Sequence, residues 1–255
     1  MRFLFSLLFC TLLLFGNSEY RYRKYEHVKL FYKPLAQETL AIALKYNVPP
    51  AAILAIAGVE SGYGRGYIAR ISGNILSLGA GKGDPMLPAL YLPHDKKSGM
   101  ILYNPKEIAK HKQSDLVYQK RAKSYKKDYR PAPYAGTSKH LDYFDTHTKE
   151  KKSANLACIE EFAHLWISEN YKFEPFKKAR KDLEARVAKS GKNALFTEEC
   201  AEEFIRNIGG KKHSFNYRQT WPKKVIQVMK NAGLVTLMKD MKAKKTFSEA
   251  WHKKP

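Results

Sequence analysis

Apolar residues recur at helical spacing near both ends of the chain and lose that order in the middle. Leu40, Ala41, Ile42, Ala43 and Leu44 fill Gln37 to Tyr46 in the manner of a buried helix, and Asn47-Val48-Pro49-Pro50 stops it. The proline pair opens the next helix, because proline is tolerated at the first helical position, where an N–H would have no intrahelical partner. From Ser153 to Ser168, Leu156, Ile159, Phe162, Ala163 and Trp166 recur three and four apart. Helices are also predicted over Glu174 to Lys189, over Thr197 to Asn207, and from Pro222 to Met229 or beyond. Between residues 81 and 140 the texture turns to Gly, Pro, Lys and Tyr, with Pro85, Pro88, Pro93, Pro105, Pro131 and Pro133, which predicts loops and short strands or short helices. Lys239 to Pro255 is basic and weakly patterned and reads as a peripheral tail. There is no internal repeat.

The N-terminus changes the picture. Arg2 precedes an apolar run from Phe3 to Phe15, broken only by Ser6 and Thr11, and Gly16, Asn17 and Ser18 follow. Small residues at the minus-three and minus-one positions of a cut after Ser18 predict a secretory signal peptide over residues 1–18. The run is short of the ~20 residues that span a bilayer. Cys10 follows Phe9, whereas a lipoprotein signal needs a small residue there. The expectation is an exported, soluble chain, periplasmic or secreted, with a main domain over 19–238 and the tail over 239–255.

Export governs how charge is read. Of 255 residues, 44% are hydrophobic and 13% aromatic, enough for a globular core, and 46 Lys plus Arg against 24 Asp plus Glu give a net +22. That balance suggests nucleic acid for a chain inside the cell. Outside the cytoplasm the abundant polyanions are wall polymers and lipid headgroups, so contact with a wall or membrane surface is expected and nucleic acid is not. Cys158 and Cys200 either form one disulfide or remain two buried thiols. Neither has metal-ligand spacing, and no cofactor is implied.

One acidic residue stands out. In the helix opened by Pro50, Ile53, Ile56, Ala57 and Glu60 fall at relative positions zero, three, four and seven, so Glu60 continues the core-facing stripe. Burial and the partially negative helix C-terminus both disfavour the ionised carboxylate, which raises its pKa. A carboxyl group that holds its proton near neutral pH is what a general acid for glycosidic cleavage requires. Gly62, Gly64 and Gly66 then end the helix and are expected to leave room for a bulky substrate. A partly buried Glu satisfied by a salt bridge, with glycine as an ordinary helix cap, would carry the same residues.

The stretch from Pro49 to Gly79, PPAAILAIAGVESGYGRGYIARISGNILSLG, resembles the signature region of bacterial peptidoglycan glucosaminidases, the family of flagellar-rod wall hydrolases and Bax-type proteins. Glu60, Ser61, Gly62, Tyr63, Gly64, Gly73, Asn74, Leu76 and Gly79 match or nearly match; Ile75 and the Ser77-Leu78 pair depart. Similar segments follow at Leu141 to Trp166, at Tyr171 to Arg180 and at Phe215 to Leu234. The resemblance implies a lysozyme-like, mainly α fold with a smaller lobe across a cleft, and cleavage of the glycan strand after N-acetylglucosamine. It gives Glu60 the general-acid role. It also implies that Asn74 holds the cleft wall or an acetamido group, that Tyr63 presents a ring to a sugar, and that a functional tyrosine precedes the last helix. A gapless match places Phe215 at that last spot, and Tyr217 serves if the turn shifts by two.

A two-carboxylate mechanism needs a partner acid. Glu107, Asp115, Asp128, Asp142 and Asp145 are all open candidates, with Asp142 and Asp145 favoured for their place beside the return to helices. His140, Asp142, Asp145 and His147 lack a frame that fixes metal-ligand spacing, so no metal is expected. Seven tyrosines from Tyr91 to Tyr143, interleaved with Lys and Arg, suggest a stacking platform for sugars in a cationic setting, or packing alone. The expectation is therefore an exported peptidoglycan hydrolase, an endo-β-N-acetylglucosaminidase acting on glycan strands. A lytic transglycosylase using the same Glu and a non-catalytic wall-binding protein are the alternatives.

Overall fold

A computed structural model describes residues 20–85, 87, 93–118, 126–136 and 140–252 of the chain. The expected signal peptide with Cys10, and Tyr91 and Tyr125 of the tyrosine series, lie outside the described residues. The chain is mainly helical. Its elements in order are α1 (Glu26–Tyr32), α2 (Ala36–Tyr46), α3 (Pro50–Ser61), α4 (Tyr67–Ser72), β1 (Pro93–Asp95), α5 (Pro105–Ile108), β2 (Leu116–Tyr118), α6 (Tyr143–Thr146), α7 (Thr148–Glu161), α8 (Glu174–Ser190), α9 (Glu198–Ile208), α10 (Trp221–Asn231), α11 (Leu234–Lys242) and α12 (Phe247–His252).

Helix α3 is the axis of the larger lobe. Every residue from Pro50 to Gly58 is buried, so this helix is apolar all round rather than striped, as expected of a segment enclosed by neighbours. Helices α1, α2, α9, α10 and α11 pack against it. Pro50 starts it and Gly62, in the left-handed conformation, ends it. Helix α2 ends at Asn47, also left-handed, and the Arg180 guanidinium of α8 donates to the carbonyls of Tyr46 (2.6 Å) and Asn47 (2.8 Å). A cation at the negative end of α2 thus ties α8 to it. Helix α7 starts at Thr148, five residues before the predicted Ser153, because its first turn, Thr148 to Lys152, holds no apolar residue that would show the period. It then widens into a π-helical turn over Phe162–Trp166.

The smaller lobe is the proline-rich middle. Strands β1 and β2 pair antiparallel with Pro93 opposite Tyr118 and Asp95 opposite Leu116. Ile71 and Leu87 form a small core of their own, backed by Tyr67, Ile68, Ile101, Tyr103 and Leu141. A buried ion pair staples the return to the helices. Asp128 meets Arg130 at 2.6 Å with both side chains fully covered, and Asp128 also accepts the Gly136 N–H (2.8 Å), while Arg130 donates to the His140 carbonyl (3.2 Å).

The basic stretch after residue 238 is not a peripheral tail. Asp240 and Met241 of α11 and Phe247, Ala250 and Trp251 of α12 are buried in the main core. The Trp251 ring packs 6.1 Å from Tyr32, and Arg23 donates to the carbonyls of Ala232, Gly233, Ala250 and Trp251. Two aromatics in fourteen residues carried too weak a period to announce a helix, yet their burial joins the two ends of the described chain. The proposed boundary at 238 therefore falls inside one core. Trp251→Ala should lower the unfolding free energy by about 3–5 kcal/mol in urea melts, as expected for truncating a buried aromatic. A peripheral tail would leave the midpoint unchanged.

Candidate active site

Glu60 is the penultimate residue of α3, and the chain turns sharply just beyond it. Gly62, Tyr63 and Gly64 all have positive φ, a run of left-handed residues that glycine tolerates at least cost. Ser61 holds the turn: its hydroxyl donates to the Ala57 carbonyl (2.5 Å) and accepts the Gly64 N–H (2.8 Å). The glycines serve this backbone more than they open space for a substrate. A Cβ at Gly64 would meet the Phe31 ring at 3.1 Å and one at Gly66 would meet the Ser61 carbonyl at 3.0 Å; only at Gly62 is there open room.

The Glu60 side chain is half-buried and faces α10. The indole Nε1–H of Trp221, the first residue of α10, donates to Oε1 at 2.6 Å. Trp221 reaches this position because Gly209 lets its ring lie on the backbone; a Cβ there would stand 2.2 Å from the indole. The loop between α9 and α10 closes on itself, with Phe215 N–H donating to Ile208 O (2.7 Å) and Gly210 N–H to Asn216 O (2.8 Å). That closure sets Phe215 against Trp221, ring centres 5.4 Å apart. Burial pushes the Glu60 carboxyl above the ordinary glutamate range, while the Trp221 hydrogen bond, the Lys126 charge, the Asn216 amide and the Lys224 charge pull the other way without cancelling it. Lys126 is itself half-buried, donates to the Ser77 carbonyl (2.6 Å), and has its pKa lowered by burial.

A groove of about 820 Å³ runs beside this pair, between the smaller lobe and the end of α7. Lys126 and Ser77 line it, as does Phe215, so it is linked to Glu60 through the Lys126 charge and through the packing of Phe215 on Trp221, although Glu60 is not in its lining. The opposite wall is aromatic: Trp166 stacks on Tyr171 (5.1 Å, 26°), with Phe173 beyond. The π-helical turn presents Leu165 and Trp166 to the groove, a kind of irregularity that recurs at functional sites. Glu161 also lines it, bonded to Lys127 (2.5 Å) and to the Tyr129 hydroxyl (3.0 Å).

The other sequence candidates fall elsewhere. Asn74 is 1% exposed and cannot touch a substrate. Its amide donates to the carbonyls of Leu78 (2.9 Å) and Lys127 (3.0 Å), and its oxygen accepts from the Leu78 N–H (2.8 Å) and the Cys158 thiol (3.4 Å). It therefore pins together the two segments that carry Ser77 and Lys126, holding the wall from behind. Tyr63 packs on the other face of α3, its ring against Phe31, Tyr32 and His27 at 5.6–6.1 Å. Tyr217 is 73% exposed, and its neighbours Phe215 and Asn216 are the residues of that turn directed toward Trp221 and Glu60.

Of the acids, Asp128 is consumed by Arg130, Asp145 pairs with Arg70 (2.9 Å), Asp142 precedes α6, and Glu107 and Asp115 are exposed in the smaller lobe. The tyrosines are dispersed: Tyr103 packs on Tyr67, Tyr134 on Tyr143, and Tyr129 turns inward to Glu161. His147 stacks on Tyr143 and His140 meets Tyr134 edge-on. Cys158 and Cys200 are free buried thiols, with burial raising their pKa values to about 12 and about 11.

Trp221, Asn216, Lys126 and Glu161 were not singled out in the sequence. Gly209-Gly210 ahead of Trp221-Pro222 was the available signal for the first, since paired glycines before a helix-starting tryptophan allow close approach of a ring. No protein-family model, curated protein or solved structure matches this chain.

Removing the indole donor with Trp221→Phe should raise the Glu60 pKa further, since that bond favours the carboxylate; carbon-detected NMR titration of the Glu60 carboxyl reads it directly. A raised folded-state pKa also means that stability linked to Glu60 is full below its unfolded pKa and is lost as pH rises through the folded value. Asn74→Ala should cost about 1–3 kcal/mol in urea melts, because it leaves buried backbone groups unpaired.

Proposed function

We propose that the protein is an exported glycoside hydrolase acting on peptidoglycan glycan strands, with Glu60 as general acid. The observation that carries this reading is the half-buried Glu60 carboxyl, raised in pKa, hydrogen-bonded by Trp221 and acted on by the charge of Lys126, which lines an aromatic and cationic groove. Oε1 is engaged by the indole, which leaves Oε2 to hold the proton. Donation of that proton to the glycosidic oxygen creates a carboxylate, and the Trp221 N–H with the charges of Lys126 and Lys224 stabilises it as it forms. The stacked Trp166 and Tyr171 offer ring faces to sugars, and the lysines of the groove suit a polymer that carries carboxylates. An endo-acting N-acetylglucosaminidase is the specific activity proposed, and the signal-like N-terminus supports export to the wall.

A single-acid variant of this chemistry, lytic transglycosylation, is the second reading. The charges acting on Glu60 are cationic, and Glu161, the acid in the adjoining groove, is committed to Lys127 and Tyr129. With no free second carboxylate beside it among the described residues, Glu60 could donate and then recover the proton while a substrate hydroxyl closes on the anomeric carbon. Hydrolysis gives reducing ends, whereas this route gives anhydro ends one water lighter, and mass spectrometry of digested wall separates them.

Glu60→Gln should reduce release of soluble fragments from purified wall by about 10²–10⁴-fold, the usual contribution of a general acid, with sedimentation onto wall retained. Activity should fall as pH rises through the Glu60 pKa, on a limb displaced above the ordinary glutamate range. Unchanged product release by the variant would remove Glu60 from the mechanism, and sedimentation without any release by the parent chain would leave a binding protein instead.

A further inference from the structure

Two adjoining cavities open on the face of α3 turned away from Glu60. Tyr63 marks that face: its ring lies close to Gly58, where a Cβ would be 3.1 Å away, and Gly58 is about 200° around the helix from Glu60. The inner cavity, about 380 Å³, has apolar walls from Leu30, Phe31, Pro34 and Ile75 and includes Asn155 of α7. The outer one, about 710 Å³, shares His27, Tyr63, Arg65 and Lys151 with it and adds Arg70 and Tyr103.

The charges here are unevenly balanced. Arg70 pairs with Asp145, and Lys152, at the edge of the inner cavity, pairs with Glu38. Arg65 and Lys151 make no ion pair with a described residue; Lys151 is half-buried, and burial, with the Arg70 charge, lowers its pKa although the Asp145 charge acts the other way. Asn155 supplies an independent observation. The residue is 7% exposed and its Oδ1 has no hydrogen-bond partner among the described residues, although an unpaired buried acceptor is destabilising. The crevice therefore combines an apolar chamber, one acceptor awaiting an N–H or O–H, and two unpaired cations at the mouth.

We propose that this crevice binds a short acidic peptide, with an apolar side chain in the inner chamber, a backbone N–H donated to Asn155 Oδ1, and a carboxylate between Arg65 and Lys151. A fatty acid supplies the anion and the apolar chain but no donor for Asn155. Inorganic phosphate supplies neither the apolar group nor the reach between the two cavities.

Isothermal titration of the full chain with N-acetylated alanyl-glutamyl-alanine tests this. The peptide should bind with an affinity that falls as salt rises. Its neutral analogue, with glutamine in place of glutamate and an amidated C-terminus, should bind at least about tenfold more weakly, as should the acidic peptide to Arg65→Gln or Lys151→Gln. Glu60→Gln should leave the affinity unchanged. Asn155→Leu should weaken binding by about tenfold while melting at the same or a higher temperature, because it removes an unpaired buried oxygen; a merely structural Asn155 would lower the melting temperature instead. The proposal is overturned if the peptide does not bind, if the Arg65→Gln/Lys151→Gln double variant binds it as well as the parent chain does, or if dodecanoate displaces it at a lower concentration than the peptide itself requires.

Discussion

A carboxyl group at the end of a helix buried on every side is the constraint around which this protein is arranged. Helix α3 has no polar face through Pro50 to Gly58, so its neighbours must cover it completely, and the only acid it carries is its penultimate residue. Water cannot solvate that carboxyl fully, and among the described residues no arginine or lysine side chain forms an ion pair with it. A neutral donor, the Trp221 indole, takes one oxygen and is itself buried. An indole N–H moderates the desolvation of the acid far less than a salt bridge would, so the group remains disposed to keep its proton.

The surroundings of Glu60 are fixed by residues that never face a substrate. Asn74 spends its amide on the backbone of Leu78 and Lys127, which locks the short segment bearing Ser77 to the one bearing Lys126. The Asp128–Arg130 pair does the same for the next residues along the chain. Gly209 has a comparable role on the other side, since only a missing Cβ admits the Trp221 ring. Rigid placement of one carboxyl thus draws on three separate stretches of sequence, spaced between 60 and 221, and on both lobes.

The large positive charge is organised locally rather than as one uniform face. Many lysines and arginines meet acids at the surface, where exposed pairs contribute little, as Lys45 with Glu160 and Arg186 with Glu203 illustrate. Cations without such partners stand out against that background. Lys126 acts on Glu60 from one side of α3, and Arg65 and Lys151 stand over the crevice on the other. The same helix separates the two regions, and its sharp left-handed exit through Gly62, Tyr63 and Gly64 sends the chain from the first toward the second.

The sequence by itself determined the helical character of both ends, the proline-framed start of α3, the irregular middle and the inward aim of Glu60. Each of these is a local matter of periodicity or of a proline or glycine at a helix boundary, legible within a dozen residues. It misjudged α12, because two aromatics in a basic stretch show no period until Tyr32 and Arg23 are beside them. The resemblance offered Asn74 for the cleft wall or an acetamido group and Tyr63 for a sugar; Asn74 holds backbone behind the wall and Tyr63 packs on rings, because residue type shows what a side chain can bond, not which backbone or ring reaches it first. Only the tertiary structure decided that Trp221, Lys126 and Asn216 surround the acid and that Glu161 lines the adjoining groove. These contacts join residues tens to more than a hundred positions apart, and their energies depend on burial and mutual distance, which no single stretch of chain contains.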